Sequence, residues 1–182
     1  MNPYSLALFF HFFGMLALFI GYGLEWTASS LLRRATTSDQ ARAWLRVYKV
    51  SLPVSGPGLL LLIITGGYLA SVTGGMMHGW INASLVGIVV ALGIGFALIL
   101  PRIRAIRAAL PEGNVALTPE AQTRLKDPFV ATLVRIRAVL ALGIVYLMTT
   151  KVDSLATSLI ILCVAIVIGA LCAATTWSRS AA

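Results

Sequence analysis

The chain has 182 residues, of which 59% are hydrophobic and 11% charged, with a mean hydropathy of +0.92. Soluble domains carry about 25% charged and about 45–50% apolar residues, so this composition excludes an ordinary water-soluble domain and puts the chain in lipid. The net charge of +8 does not point to nucleic acid, because no basic run alternates with stacking aromatics and no zinc or helix-turn-helix spacing occurs.

A helix needs about 20 apolar residues to cross about 30 Å of hydrocarbon. Five segments meet that demand, at about 4–29, 52–72, 80–100, 129–150 and 155–177. The fold class is therefore all-α: a polytopic membrane bundle of five transmembrane helices forming a single domain over 1–182. Two longer connections, about 30–51 and 101–128, join the spans on one side. The longest polar stretch, 101–128, is too short to fold as a domain of its own. Any chemistry must lie in the bundle or at its edges.

Orientation follows from the basic residues. Of the 14 Lys and Arg, all but Lys151 fall on one side of the spans, Arg135, Arg137 and Arg179 among them. The positive-inside rule makes that side cytoplasmic, with the N-terminus outside and the C-terminus inside. The expected location is a bacterial inner membrane. The first span has no Lys or Arg before Arg33 and is too long for a signal peptide, so it reads as an uncleaved, reversed anchor.

Projected at about 100° per residue, the first span divides into two faces. Tyr4, His11, Met15, Tyr22, Glu25 and Ser29 share one line, and Phe9, Phe13, Leu16, Ile20 and Leu24 lie opposite. Polar groups are costly against hydrocarbon, so the first stripe is expected to face protein and the second lipid. The connection that follows holds Arg42, Arg46 and Lys49 on one side of a short helical stretch with Trp44, an arrangement suited to anionic lipid headgroups.

The second span enters through Pro53, Gly56, Pro57 and Gly58, which predicts a kink or an unwound turn. The third span repeats small residues at Ala83, Gly87, Ala91 and Gly95, and the fifth at Ala165, Gly169 and Ala173. Such spacing permits close helix packing, within the chain, in a homo-oligomer or against a partner membrane protein. Thr118-Pro119-Glu120 has the form of a helix start. Cys163 and Cys172 are about 180° apart on a helix and cannot bridge one another; they read as buried thiols.

His11 is the sharpest candidate for chemistry. It lies about 10 Å below the outer end of the first span, one turn from Met15. The other histidine, His78, follows Met76 and Met77 just after the second span exits on the same side. Imidazole with thioether suits Cu(I), and His or His/Met pairs bind haem iron. His11, Met15 and Tyr22 are thus cofactor-binding candidates for haem b, and His11, His78, Met76 and Met77 are metal-ligand candidates for copper. A neutral His11 bonded to a neighbouring carbonyl or tyrosine, and a quinone site, are the other readings.

Glu25, in the inner half of the same span, needs a partner or a proton. Arg135 is the expected partner, because Arg135, Tyr146, Thr149 and Asp153 share a line on the fourth span while Arg137 points away toward the headgroups. The pair serves as a structural tie or, with Tyr22, as a proton path toward His11. Lys151 and Asp153 are read as a solvated pair. No nucleophile elbow, phosphate loop or HExxH occurs, which disfavours hydrolase, kinase and nucleotide-driven pump functions.

The stretch from Leu8 to Gly14 around His11, the Ser55-Gly56-Pro57-Gly58 entry followed by Thr65-Gly66-Gly67, and the stretch from Ile144 to Lys151 together resemble a group of small bacterial predicted integral membrane proteins of uncharacterised function. More distantly, the first span is similar to that of copper-resistance D proteins and HemJ-type protoporphyrinogen oxidases, whose first helix also carries a histidine. The resemblance implies a haem-ligand role for His11. The HemJ type also has an essential lysine in a later helix, and the third span here has none, so haem or copper binding is implied rather than porphyrinogen oxidation. An enzyme of this kind would be an oxidoreductase. The alternatives are a non-catalytic accessory subunit and a small proton-coupled transporter using Glu25.

Overall fold

A computed structural model describes residues 2–178, excluding the side chains of Met76 and of residues 175–178. Arg179, counted above with the basic side, lies outside the described residues. The described chain is helical, with one isolated bridge between Thr37 and Ala116 and no strand. The elements are α1 (Pro3–Leu32), α2 (Ser38–Val72), a short 3-10 turn (Gly75–Met77), α3 (Gly79–Gly93), a π-helical turn (Ile94–Ile99), α4 (Leu100–Ala109), α5 (Pro119–Lys126), α6 (Pro128–Thr150) and α7 (Leu155–Ser178). Five stretches are long and apolar enough to cross a membrane: α1, α2, α3 with α4, α5 with α6, and α7.

The first helix divides as its sequence pattern requires. Gly14, Gly21, Tyr22, Glu25, Ala28 and Ser29 are buried, while Phe9, Phe13, Leu16 and Ile20 are exposed to what would be lipid. His11 and Met15 are half-buried, and Tyr4 lies exposed beyond the packed part of the stripe. The buried face meets α2 at very close range. A Cβ on Gly14 would stand 2.8 Å from the Gly58 carbonyl oxygen, one on Gly58 2.8 Å from the Gly14 carbonyl, and one on Gly21 2.5 Å from Ser55 Cβ. Close approach of this kind allows dispersion and polar contacts to hold two helices together where lipid supplies no hydrophobic drive.

Helix α2 runs for 35 residues without interruption, with Pro53 and Pro57 inside it, so of the two expected forms, a kink or an unwound turn, the chain does not unwind there. Its first turns, 38–51, lie before the predicted span and extend it beyond the hydrocarbon length. The helical hydrogen-bond pattern changes in the third span. Pro101 has no N–H, and its ring crowds the carbonyl four residues back. The turn before it widens, and the Leu100 N–H bonds the Gly95 carbonyl five residues earlier.

The small-residue stripes are consumed inside the chain. Ala83, Gly87 and Ala91 are buried, Gly87 against Ile144 and Leu162, while Gly143 faces Ala165 and Gly169 lies against the α6 backbone at Ile136. Cys163 is exposed on the bundle surface and Cys172 half-buried, so the expectation of two buried thiols fails for Cys163. It points to the outer side of α7, away from the face that packs on α6.

At the basic end the two connections fold together. Leu32, Ala41, Leu45, Ile103, Ile106, Leu117, Leu125 and Val134 belong to one buried apolar cluster. Thr118 caps α5 by accepting from the Ala121 N–H at 3.2 Å, with Pro119 as the first helical residue. Ser38 donates its hydroxyl to the Gly113 carbonyl, and its N–H bonds the Val115 carbonyl at 3.0 Å. Arg42 donates to the Pro111 carbonyl at 2.5 Å.

Candidate functional site

Two polar centres lie within the bundle and a third at its far end. The first centre joins α1, α2 and α6. Glu25 is 5% exposed, and its Oε2 accepts from Arg137 Nη1 at 2.7 Å. Its other oxygen lies 3.2 Å from the Ser51 hydroxyl, which also faces the Tyr48 carbonyl at 2.7 Å. The Arg137 guanidinium lies over the Tyr22 ring, 4.7 Å from its centroid. A Cβ on Gly95 would stand 3.2 Å from Arg137 Cζ, so the widened π turn makes the seat in which the guanidinium rests.

This corrects the sequence-based pairing. Arg137, not Arg135, is the partner of Glu25. Arg135 is 4% exposed and lies over the Trp26 ring, 5.4 Å from its centroid. Its Nε and Nη1 have no hydrogen-bond partner among the described residues. The helical projection groups Arg135 with Tyr146, yet Tyr146 is 54% exposed. One face of α6 is covered at the basic end and bare at the other, which a periodicity that treats the helix as uniform cannot register.

The second centre surrounds His11. Its Nδ1 lies 3.0 Å from Thr65 Oγ1 on α2, and the Thr65 hydroxyl donates its only hydrogen to the Leu61 carbonyl at 2.6 Å. Thr65 can therefore only accept from His11. In the neutral ring Nδ1 then carries the proton and Nε2 is the basic nitrogen, with the Leu62 backbone also within hydrogen-bonding reach of the ring. The ring edge rests on Gly66, where an added Cβ would stand 3.2 Å from Cε1, and neighbouring Gly67 faces open space. Met15 is half-buried one turn away on the same helix. Tyr22 is buried but belongs to the Arg137 centre, three turns along α1.

The third centre ties the far end. His78 Nδ1 lies 2.9 Å from Asp153 Oδ1, and its Nε2 lies 3.2 Å from the Thr73 carbonyl. Asp153 thus pairs with His78 rather than with Lys151, which adopts a left-handed conformation at φ 51° as the α6 cap. Both His78 nitrogens face acceptors within the fold, so both ring positions are already engaged. Met77 is 91% exposed, and the Met76 side chain lies outside the described residues. Thr65 and Thr73 are eight residues apart on α2, which separates the groups anchoring the two histidines by about 12 Å. The structure does not bring His11 and His78 to one metal. No group of three His, Cys, Asp or Glu with metal-binding geometry occurs among the described residues.

No protein-family model, curated protein or solved structure matches the chain.

A cleft of about 280 Å³ opens between α1 and α6, lined by Phe19, Tyr22, Gly23, Trp26, Ala138 and Leu142 among others. It lies beside the ion-pair centre and is mostly apolar. Sequence reasoning missed the Gly14, Gly21 and Gly58 crossing, although Gly14, Gly21 and Ala28 recur at seven-residue intervals on the α1 stripe. It also missed Thr65 as the partner of His11, for which only a polar residue inside an apolar span gave a signal.

Proposed function

We propose that this multi-pass protein resides in a bacterial inner membrane, N-terminus outside, and carries a single-histidine haem site at His11 with a redox role. The supporting observation is the hydrogen-bond chain from His11 Nδ1 through Thr65 to the Leu61 carbonyl. A ligating histidine usually commits its other ring N–H to a protein acceptor, which fixes the tautomer and raises the basicity of the ligating nitrogen. With Nδ1 committed to Thr65, Nε2 is the nitrogen that would ligate, and Gly66 and Gly67 leave the adjoining α2 surface without side chains.

The donor set favours haem over copper. Haem iron needs one or two protein ligands, because the macrocycle supplies the rest. Copper would draw its whole coordination sphere from the protein, and only Met15 lies within a turn of His11. The orientation rests on the concentration of Lys and Arg at one end of the helices. Packing of the small-residue stripes within the chain takes away the feature that would have recruited a partner helix, and the Arg137 bond to Glu25 fits a structural tie better than a transport site.

The test is an absorbance spectrum with elemental analysis on detergent-purified protein from haem-replete and copper-replete cells. A Soret band that disappears in His11→Ala, with helicity retained, is the expected result. Colourless, metal-free protein from such cells overturns the reading, and stoichiometric copper without a Soret band replaces haem with copper.

A further inference from the structure

The basic end contains a second pocket, of about 270 Å³, between the α1–α2 turn and α5. Its lining includes Arg33, Arg34, Lys126, Thr36 and Gln122 and no acidic residue. The two neutral polar side chains are engaged: the Thr36 hydroxyl donates to Gln40 at 3.1 Å, and Gln122 donates to the Leu117 carbonyl at 3.2 Å. The three cations are not. Among the described residues none of them makes an ion pair or a side-chain hydrogen bond, and Arg33 Nε is buried without a partner. Arg33 also acts electrostatically on Arg135, whose own Nε and Nη1 are buried and unpartnered.

A guanidinium with a buried, orphaned Nε, within electrostatic reach of a second buried one that has no anionic partner among the described residues, forms a costly arrangement unless an anion completes it. Of the carboxylates on these connections, Glu120 is bonded to Arg124 at 2.9 Å and Asp127 to the Phe129 N–H at 2.9 Å, and neither Asp39 nor Glu112 lines the pocket. We propose that this pocket is a discrete phosphate-binding site, in which Arg33, Arg34 and Lys126 hold a phosphate group and its charge balances Arg135 through Arg33. Helix α1 has 30 residues, about 45 Å, which exceeds the hydrocarbon thickness and puts Arg33 at the level of the headgroups. Guanidinium forks suit phosphate oxygens in geometry as well as charge. This goes beyond diffuse attraction of basic loops to an anionic surface, because it requires one saturable site on three named side chains.

The phosphate can belong to an anionic phospholipid or to a soluble phosphate. Native mass spectrometry and thermal unfolding of the full chain in neutral detergent separate them, with phosphatidylglycerol and inorganic phosphate as probes. The triple variant R33Q/R34Q/K126Q is compared with R104Q/R107Q/K151Q, which removes the same charge from exposed cations outside the pocket. Circular dichroism checks that both remain folded. The expected result is one retained phosphatidylglycerol and a rise in Tm of several degrees on its addition, in wild type and in the control triple. Both are lost in the pocket triple. A Tm rise with inorganic phosphate alone, lost in the same triple, keeps the site and assigns it a soluble ligand. Absence of both responses in wild type, or equal loss in the two triples, overturns the proposal.

Discussion

Arg137 on α6 reaches Glu25 on α1 at 2.7 Å, and with the Ser51 hydroxyl on α2 this contact joins three helices at one carboxylate. Both side chains are nearly out of reach of solvent, so the value of the pair lies chiefly in the penalty for breaking it. Removing one partner leaves an uncompensated buried charge, at a cost of about 3–5 kcal/mol. Glu25→Gln and Arg137→Gln should each lower stability by that order, and Glu25→Gln/Arg137→Gln should lose much less than the sum. Unfolding of the four proteins of this double-mutant cycle in detergent measures the coupling. A cycle on Glu25 and Arg135 should give none, and strong coupling there would mean that the wrong arginine has been assigned.

The α1–α2 crossing depends on the absence of side chains. Gly14→Ala or Gly58→Ala sets a methyl group against the backbone carbonyl of the facing helix, and overpacking of this kind costs about 1–3 kcal/mol. A Cβ on Gly23, on the same helix, meets nothing within 4 Å, so Gly23→Ala should be neutral or stabilising by about 0.4–1 kcal/mol. Thermal unfolding of the three variants checks the order. Equal effects would show that the helices at Gly14 and Gly58 can part enough to admit a methyl group at no cost.

Much of this was legible in the sequence, and the failures have physical causes. The α1 faces, the five spans and the Thr118 cap follow from local rules, because hydrocarbon penalises polar groups wherever they occur and caps depend on adjacent residues alone. The choice of Arg137 over Arg135 does not follow. It depends on the widened π turn at Gly95, which makes a seat on α3 for a side chain of α6. The basic end was read as two surface connections, whereas Leu32, Leu45, Ile103 and Leu125 draw them into one apolar cluster through contacts that no periodicity encodes. The His11 stripe was legible, but its partner Thr65 was not, because one hydroxyl in an apolar span gives no indication of which helix it faces.

Thr65 separates a positioning role from a packing role. Its oxygen fixes the His11 tautomer, and losing such a partner typically lowers metal affinity about 10–100-fold. For the haem site proposed at His11, Thr65→Val keeps the volume and removes the acceptor, so haem occupancy would fall while helicity stays constant. Thr65→Ser keeps the hydroxyl and, on the same proposal, would leave haem binding unchanged. A spectral titration of the apoprotein with haem reads both variants, and a Thr65→Val protein that binds as tightly as wild type would remove Thr65 from the site.

At the far end the ion pair and the glycine beside it should differ sharply in their contributions. His78 and Asp153 are 35% and 79% exposed at the side chain, and exposed pairs contribute about 0–1 kcal/mol, so Asp153→Asn should barely move the unfolding transition. Gly79 is buried, and a Cβ there would run into the backbone between Asp153 and Leu155. Neither wall is a flexible side chain. The α6–α7 connection would have to shift as a unit, and Gly79→Ala should cost about 1–3 kcal/mol. The far end is thus held by close contact between α3 and the 153–155 backbone, and the charge pair is secondary. If thermal unfolding found Asp153→Asn the more damaging of the two, that order would be reversed and the His78 contact would become the element that closes the bundle.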